Sequence, residues 1–295
     1  MIPFMRFKWL YFLISGVVLV PGIFSLFVWG LKPSIDFTGG TLMEIQNVKC
    51  KSQNDNFKLK NILEKEKFNV GTIQSSGADA CILRFKPISQ DDNKKLMAVL
   101  SKEFKDLNQT RFETVGPVLG KELLQKTLIA TILAILGILS YVVYAFKNFK
   151  FGVSAVLALL HDLLVVVGIF AILGHFLKVE VDALFVTAVL TTMSFSVHDT
   201  IVVFDRIRET RKNNADLSFE TLANKALTET MSRSLNNSLT LVFMLLALLL
   251  LGGESTKWFI FALLVGTTSG VYSSPFVATP ILVLWQKWEE KRKSK

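Results

Sequence analysis

Six stretches of the chain are long, apolar and almost free of charged residues. A membrane-spanning helix needs about 20 such residues, because hydrocarbon solvates neither charges nor unpaired backbone groups. The pattern therefore predicts six transmembrane helices. The first stretch is too long for a signal peptide and lacks a small-residue cleavage site, which indicates an uncleaved anchor. The predicted spans are 9–31, 127–146, 151–173, 181–204, 233–251 and 258–286.

The composition supports a membrane protein. Hydrophobic residues make up 51% of the 295 residues, and charged residues only 19%. A typical soluble domain has about 25% charged residues, so this chain has too little polar surface for a water-soluble globule. The same composition excludes a disordered chain, a collagen and a coiled coil. The net charge of +9 would suggest nucleic-acid binding in a soluble domain, so its meaning depends on where the basic residues lie.

Lysine and arginine are distributed unequally between the short loops. With a cytoplasmic N-terminus, 15 of the 33 lie on the inner side, whereas Lys178 and Lys257 alone lie in the outer short loops. Short cytoplasmic loops carry an excess of basic residues, so both termini are predicted to be inside. The tail 287–295 is therefore predicted to bind the membrane surface rather than nucleic acid.

The segment 32–126, between the first two spans, is predicted to fold in water. Its hydrophobic pattern predicts strands and helices in the order β-α-β-β-α-β, which is the ferredoxin-like arrangement. Ser89 and Asp92 have the spacing of a capping box, and Ser75, Ser76 and Gly77 indicate a turn. The predicted strands are 41–49, 70–74, 81–86 and 111–115, and the predicted helices are 56–67 and 91–107.

The predicted fold class is thus an α-helical polytopic membrane protein with six transmembrane helices and a small α+β ferredoxin-like outer domain. Its parts are the N-terminal tail and first span at 1–31, the outer domain at 32–126, the other five spans at 127–286 and the basic tail at 287–295. Both cysteines, Cys50 and Cys81, lie in the outer domain, at strand ends that the fold makes neighbours. They form either a disulfide or two buried free thiols.

Three ionisable residues within the predicted spans qualify as candidate functional residues: Asp162 in the third, Asp199 in the fourth and Arg233 at the inner end of the fifth. Such residues are costly in a membrane and usually face a bundle interior or a water path, so they are candidates for proton coupling. For Asp162 the alternative is a neutral acid bonded to a backbone carbonyl. For Arg233 the alternative is a side chain that reaches the cytoplasmic surface.

Helical spacing associates Asp199 with Arg233. Two sets of polar residues at i, i+4 and i+7 form one stripe on each of two consecutive antiparallel spans. Polar stripes in lipid are expected to face each other, which predicts attraction between Asp199 and Arg233. Asp162 has no such stripe, so a smaller role is expected for it. The stripes are Thr192, Ser196 and Asp199 on the fourth span, and Arg233, Asn237 and Thr240 on the fifth.

The histidines predict no metal site. His161 and His198 each precede an aspartate, but adjacent helix positions point about 100° apart, so neither is assigned to a contact with that aspartate. His175 is expected in an outer loop, away from both. Asp199 and Asp205 are also separated around the helix, which disfavours shared metal binding. Hydrolase, kinase and dinucleotide motifs are absent from the sequence.

Three motifs together resemble one family. Asp36, Phe37, Thr38, Gly39 and Gly40 form DFTGG, which by itself indicates only a turn. GPVLGKEL, from Gly116 through Gly120 to Leu123, precedes the second span, and SFSVHDTIVVFDRIRE ends the fourth. With SRSLNNSLT in the fifth span, the whole chain resembles SecF, the smaller partner of the SecD and SecF pair that assists bacterial protein export. His198 departs from the family, in which asparagine is common.

The resemblance implies a function and partners. It implies a subunit in the bacterial inner membrane, with a periplasmic outer domain, that uses the proton motive force with SecD to assist export through the SecYEG channel after SecA-driven translocation. Implied contacts are the unfolded exported polypeptide and membrane lipid, with YajC as a further candidate and no nucleic acid. The proton is the coupling ion, and no cofactor or enzyme activity is expected.

Two other functions stay open at this point. One is an intramembrane metal-dependent enzyme acting on lipid or prenyl substrates, and the other is a passive assembly scaffold. Glycines in the two motifs around the outer domain are interpreted as hinges, because glycine adopts backbone conformations that other residues resist. Small residues in the sixth span, Gly266 to Gly270, pack either within the chain or against a second subunit.

Overall fold

In a computed structural model of the chain, the described residues are 2–48, 50, 53–65, 68, 70–75, 80–104, 106–214 and 216–293. They form two compact units. The membrane unit comprises Met1–Lys32 and Ile129–Lys295, and the outer unit comprises Pro33–Leu128. The bounds of the outer unit, Pro33–Leu128, are close to those of the predicted outer domain, 32–126.

The elements follow in chain order. The helices are α1 (Lys8–Val28), α2 (Ile35–Thr38), α3 (Gln53–Lys65), α4 (Gln90–Glu103), α5 (Pro117–Phe146), α6 (Phe149–Phe176), α7 (Ala183–Asn213), α8 (Phe219–Leu251), α9 (Lys257–Ser273) and α10 (Thr279–Lys293). The strands are β1 (Gly40–Gln46), β2 (Val70–Ser75), β3 (Ala80–Phe85) and β4 (Asn108–Val115). A π-helical segment, Ser274–Ala278, joins α9 to α10.

Within the described residues, six helical stretches are long and apolar enough to cross a membrane, which agrees with the predicted number. Several extend beyond the apolar residues. The amphipathic ends of α7 and α8 are also helical, because polar side chains can continue a helix into water once the apolar part is formed. The stretches are Phe4–Val28, Pro117–Phe146, Phe149–Phe176, Ala183–Asn213, Phe219–Leu251 and Lys257–Arg292.

The interior of the membrane unit is formed mainly by α6, α7 and the last span. Half of the residues in the most apolar part of α6 are buried, whereas the buried share is only 6% in the corresponding part of α5 and 11% in that of α8. The core contains large aromatic side chains, among them Phe170 and Phe204. The exposed apolar faces of α5 and α8 are suited to lipid, which solvates such side chains.

Charged side chains at one end of the membrane unit pair mostly within the chain. Arg206 in α7 binds Glu229 of α8, with an Nε to Oε2 distance of 2.6 Å. Lys150, which is buried at the start of α6, donates to Gln286 and Glu289, each at 2.6 Å. These bonds connect the ends of helices that are distant in sequence.

The outer unit contains one four-stranded antiparallel sheet with the order β2-β3-β1-β4. The connections β1-α3-β2 and β3-α4-β4 confirm the predicted ferredoxin-like order. Alternating side chains of β1 and β3 point to one side, where they form a separate core with the two helices. That core includes Met43, Ile45, Leu83, Leu59, Leu63, Leu96 and Leu100.

The predicted capping box at the start of α4 is present. The Ser89 hydroxyl accepts from the Asp92 backbone N–H at 3.1 Å, and the Asp92 carboxylate accepts from Ser89 in return. These hydrogen bonds from Ser89 hold the pKa of Asp92 below its ordinary value of 3.8. Ser75 ends β2, whereas the predicted turn residues Ser76 and Gly77 lie outside the described residues.

Candidate functional site

Asp162 is the centre of a buried polar cluster in the membrane unit. Its side chain is almost fully buried in α6, and the residue is 3% exposed. Ser196 of α7 donates to its Oδ2 atom at 2.6 Å. From α9, Ser273 donates to Oδ2 and Ser269 to Oδ1, each at 2.6 Å. Because three hydroxyls from two other helices bind one carboxylate, its charge affects how all three helices pack.

The sequence of α9 explains why its hydroxyls reach this point. Ser269 and Ser273 are four residues apart and therefore lie on the same helical face. Gly270 allows that face to approach α7, since a Cβ atom there would lie 3.1 Å from Cβ of Ser196. The small residues of the sixth span therefore pack within this chain.

The π-helical segment follows the cluster directly. Ser274 lies at its first position, and its hydroxyl is 2.8 Å from that of Thr200 in α7. Thr279 donates to the Ser274 carbonyl at 3.0 Å, in the segment where the regular helix bonding pattern is interrupted. Single π turns are frequent at functional sites, because they change which residues face a neighbouring helix. Here the consecutive residues Ser273 and Ser274 both contact polar groups of other helices, Asp162 in α6 and Thr200 in α7.

His161 also contacts Asp162, so the prediction that it would not is wrong. Its Nδ1 atom is 3.1 Å from Asp162 Oδ1, and its Nε2 atom is 3.1 Å from the Ser15 hydroxyl of α1. Adjacent helix positions point about 100° apart at Cβ, but the imidazole reaches sideways because Nδ1 lies close to Cβ in the ring. The spacing of Cβ atoms around a helix does not take this reach of the imidazole ring into account.

Asp199 occupies a different site. Its half-buried side chain lines a cavity of about 400 Å³ between α7, α8 and α9. Ser234 and Ser238 of α8 lie close to its carboxylate. The other polar residues that line the cavity are Ser196, His198, Asn237, Thr240 and Thr267. Polar residues of α7 and α8 therefore do face each other here.

The predicted attraction between Asp199 and Arg233 is not realised as a contact in this structure. Arg233 is exposed, and the residues that interact with Asp199 are His198, Ser234 and Ser238. The reason is the rotation of α8. When Ser234 faces Asp199, the preceding residue points about 100° away around the helix.

The other stripe residues divide between several contacts. Thr192 is buried, donates to the Val189 carbonyl at 2.9 Å and lies against Gly266 of α9. Thr240 donates to the Asn236 carbonyl at 2.9 Å, while Asn237 lines the Asp199 cavity. Ser196 lines that cavity and also donates to Asp162. Ser196 is therefore the residue that connects the two aspartate sites.

The glycine motifs meet within the outer unit. In DFTGG, Asp36, Phe37 and Thr38 lie in α2, and Gly39 has a φ of +72°. A Cβ atom at Gly39 would lie 2.6 Å from Cα of Pro117, and one at Gly120 would lie 2.9 Å from the Phe37 carbonyl oxygen. These glycines permit two backbones to touch, which is a packing role beside the predicted hinge role. Gly40 begins β1, and Gly116 directly precedes α5.

Cys50 and Cys81 form a disulfide in this structure. Both are buried in the core of the outer unit, with exposures of 3% and 0%. Within the described ranges, no group of three or more His, Cys, Asp or Glu side chains is arranged to hold a metal ion.

Sequence reasoning missed the contributions of Ser15, Ser269, Ser273 and Tyr272. The Tyr272 hydroxyl donates to the Tyr11 carbonyl at 2.7 Å and lies 3.4 Å from the Ser15 hydroxyl, so it extends the cluster to α1. The spacing of Ser269 and Ser273 was a signal that could have been used, because it matches the stripes in the other spans. Ser15 is an isolated serine in an apolar helix and carries no such signal.

The chain matches two family models. Residues 95–288 match the model described as "Protein export membrane protein SecD/SecF, C-terminal", and residues 24–46 match the "SecD/SecF GG Motif". This chain belongs to the SecD/SecF family. The second match includes DFTGG, and the first includes the helices that form both aspartate sites.

Members of the SecD/SecF family match almost the whole chain. The protein translocase subunit SecF of Thermobaculum terrenum is 41% identical, with 97% of this chain and 94% of the relative covered. The SecDF subunit of Bacillus subtilis is 35% identical over 96% of this chain, which spans 38% of that longer protein. The family resemblance stated from the motifs is therefore confirmed, and the chain is a SecF protein translocase subunit.

Solved structures agree with the fold. The crystal structure of SecDF from Thermus thermophilus, which is called a translocon-associated membrane protein, has a TM-score of 0.83 and 31% identity. It covers 96% of this chain, which corresponds to 38% of that protein. A second SecDF structure, in a super-membrane-facing form, has a TM-score of 0.69 and 29% identity.

Proposed function

We propose that this SecF subunit uses the proton motive force, together with SecD, to assist export of polypeptides. The observation that carries the proposal is the buried Asp162 carboxylate, which accepts hydroxyl hydrogen bonds from α7 and α9. An ionised carboxylate only accepts hydrogen bonds, whereas a protonated one donates one. Proton binding would therefore change the contacts between α6, α7 and α9.

Asp199 supports the proposal as a second proton site. It faces an open polar cavity, and Ser196 contacts both this cavity and Asp162. A proton reaching either aspartate would therefore alter the surroundings of Ser196 in α7. Moving one charge across a potential of 100 mV supplies about 2.3 kcal/mol, which is comparable to one strong hydrogen bond. That energy is enough to shift an equilibrium between two packings of these helices.

The proposed partner within the membrane is SecD. The Bacillus subtilis relative is named SecDF, and this chain spans 38% of it. The lipid-facing sides of α5 and α8 are largely uncovered in this chain, which leaves apolar surface for SecD or lipid. Beyond SecD, the proposal includes the SecYEG channel, SecA acting from the cytoplasm, and YajC.

The proposed location is the bacterial inner membrane, with both termini in the cytoplasm. The excess of lysine and arginine in the inner short loops supports this orientation. The outer unit would then lie in the periplasm, where it would meet the unfolded polypeptide and where an oxidising environment suits its disulfide. The relatives are named as translocase subunits, and we propose no catalytic activity for this chain.

The test compares three Asp→Asn variants in cells that depend on this chain for efficient export. Precursor processing is followed with and without a protonophore. We expect Asp162→Asn and Asp199→Asn to be present at normal levels but to lose the proton-dependent part of export. Asp205→Asn is the matched control, because its exposed carboxylate binds only Arg208 on the same helix at 2.7 Å in the contacts described.

The contacts support a different ranking of the two aspartates from the one that helical spacing predicts. The absence of a stripe predicts a smaller role for Asp162 than for Asp199, but Asp162 accepts from three hydroxyls of other helices. We therefore expect Asp162→Asn to have at least the effect of Asp199→Asn. Normal proton-dependent export by both variants would contradict the proposal and would favour a scaffold role.

A further inference from the structure

We propose that His161 and Asp162 bind one proton as a pair, in which the imidazolium of His161 is the counter-ion of the Asp162 carboxylate. Its role in export rests on the proton coupling proposed above. The charge state of the pair, in contrast, can be measured independently of export.

The contacts of Asp162 are those of an ionised carboxylate. Its two oxygens accept from three serine hydroxyls at 2.6 Å each. Hydrogen bonds from a hydroxyl to a carboxylate ion have oxygen–oxygen distances of about 2.5–2.7 Å, shorter than those between neutral groups. A charge that is 3% exposed inside a membrane unit requires a compensating charge nearby.

The available cation is His161. Among the described contacts of Asp162, the one group that can carry a positive charge is the imidazole, 3.1 Å from Oδ1. Arg233 is exposed, and among the described contacts it interacts neither with Asp199 nor with this cluster. The facing groups from α7 and α9 are Ser196, Ser269 and Ser273, all neutral.

The second ring nitrogen also faces an acceptor. The Tyr272 hydroxyl donates its proton to the Tyr11 carbonyl at 2.7 Å, so its oxygen is left to accept. The Ser15 hydroxyl donates towards that oxygen at 3.4 Å, which leaves the Ser15 oxygen to accept from Nε2 at 3.1 Å. With an acceptor available to each nitrogen, this arrangement favours the doubly protonated imidazole.

The ionisable surroundings of the pair are simple. His161 lies beside a mostly apolar groove of about 500 Å³ between α1, α6 and α9. Besides His161, the lining of this groove contains one other ionisable side chain, Tyr272, whose ring centroid is 6.1 Å from that of His161. The charge of His161 is therefore governed mainly by Asp162. Loss of the shared proton would leave Asp162 charged without a counter-ion and would change the bond to α1 through Ser15.

The charge state can be read by ¹⁵N NMR of the full chain, labelled at histidine and reconstituted in lipid nanodiscs at one neutral pH. The chain has three histidines, and the signals of His161 are those that disappear in His161→Gln. We expect both ring nitrogens of His161 to be protonated in the unmodified chain. In Asp162→Asn we expect loss of that state, with a neutral ring of one tautomer.

Asp199→Asn is the matched control, because it removes the other intramembrane carboxylate and should leave the His161 signals unchanged. A neutral His161 in the unmodified chain would overturn the proposal without any variant. A charged His161 that persists in Asp162→Asn would also overturn it. If the pair is charged as expected but Asp162→Asn and Asp199→Asn both export normally, the proton-coupling function fails and the pair stands. If His161 is neutral but Asp162→Asn loses proton-dependent export, the charged pair fails and the proton-coupling function stands.

Discussion

At the scale of single residues, Asp162 and Asp199 have different surroundings although both lie in apolar helices. Asp162 is fully enclosed and bound by three serines and a histidine. Asp199 is half-buried and faces a cavity. An enclosed carboxylate exchanges protons through its hydrogen-bond partners, whereas one beside a cavity has access to water when the cavity is filled. Ser196 donates to Asp162 and also lines the Asp199 cavity, so it is a residue through which a change at one site can reach the other.

Removal of that hydroxyl should be costly. We expect Ser196→Ala to lower the free energy of unfolding by about 1.5–3 kcal/mol, the value for a lost hydrogen bond to a charged group. The measurement is thermal unfolding of the purified chain in detergent. Ser194→Ala is the matched control, because Ser194 is exposed on the same helix. Equal stability of the two variants would show that the bond from Ser196 to Asp162 contributes nothing.

At the scale of elements, the contact between α7 and α9 depends on close approach. A Cβ atom added to Gly266 would lie 2.5 Å from Cγ2 of Thr192, and one added to Gly270 would lie 3.1 Å from Cβ of Ser196. Small residues at such positions allow membrane helices to pack closely, which here brings Ser269 and Ser273 to the carboxylate in α6. The glycines thus support the Asp162 cluster without taking part in its hydrogen bonds.

Gly266→Ala should therefore separate α7 from α9. We expect a loss of about 1–3 kcal/mol in stability from overpacking, measured by thermal unfolding. Gly137→Ala in α5 is the matched control, since no atom lies within 4 Å of its added Cβ. Without overpacking, alanine in a helix is favoured over glycine by about 1 kcal/mol, so the control should be neutral or stabilising. A stabilising Gly266→Ala would disprove the close contact.

At the scale of the whole molecule, the two units depend on different solvents. The membrane unit exposes apolar side chains on α1, α5 and α8, which lipid can cover. The outer unit has a separate small core beneath one sheet. A domain of about 100 residues buries a limited apolar area, so a covalent link contributes a larger share of its stability. The disulfide between Cys50 and Cys81 is such a link.

The disulfide should be detectable and stabilising. In the unfolded, unreduced chain, thiol alkylation followed by mass spectrometry should find no label, and after reduction it should find one label on each of the 2 cysteines. Replacement of both by alanine should destabilise the outer unit by about 3–4 kcal/mol, the estimate for a loop of this length. Faster hydrogen exchange in the sheet would report this loss, with membrane-helix amides as the internal control. Two labelled thiols before reduction would contradict the bond.

Features that depend on local physics could be predicted from the amino-acid sequence. Six spans could be predicted, because hydrocarbon requires a continuous apolar stretch in each helix. The ferredoxin-like order and the capping box at Ser89 could be predicted, because strand and helix periodicities and caps involve neighbouring residues. The motifs also identified the family correctly.

The groups that surround each aspartate could not be predicted from the sequence, because they depend on how the helices pack. Helical spacing defines the face on which a residue lies, but not the rotation of that face towards a neighbour. A rotation of one residue position therefore directs Ser234 rather than Arg233 towards Asp199. The Asp162 cluster joins residues that are far apart in sequence, and the bond from Ser273 spans 111 positions. Such contacts depend on the packing of several helices at once, because each hydroxyl must reach the carboxylate to within a few tenths of an ångström.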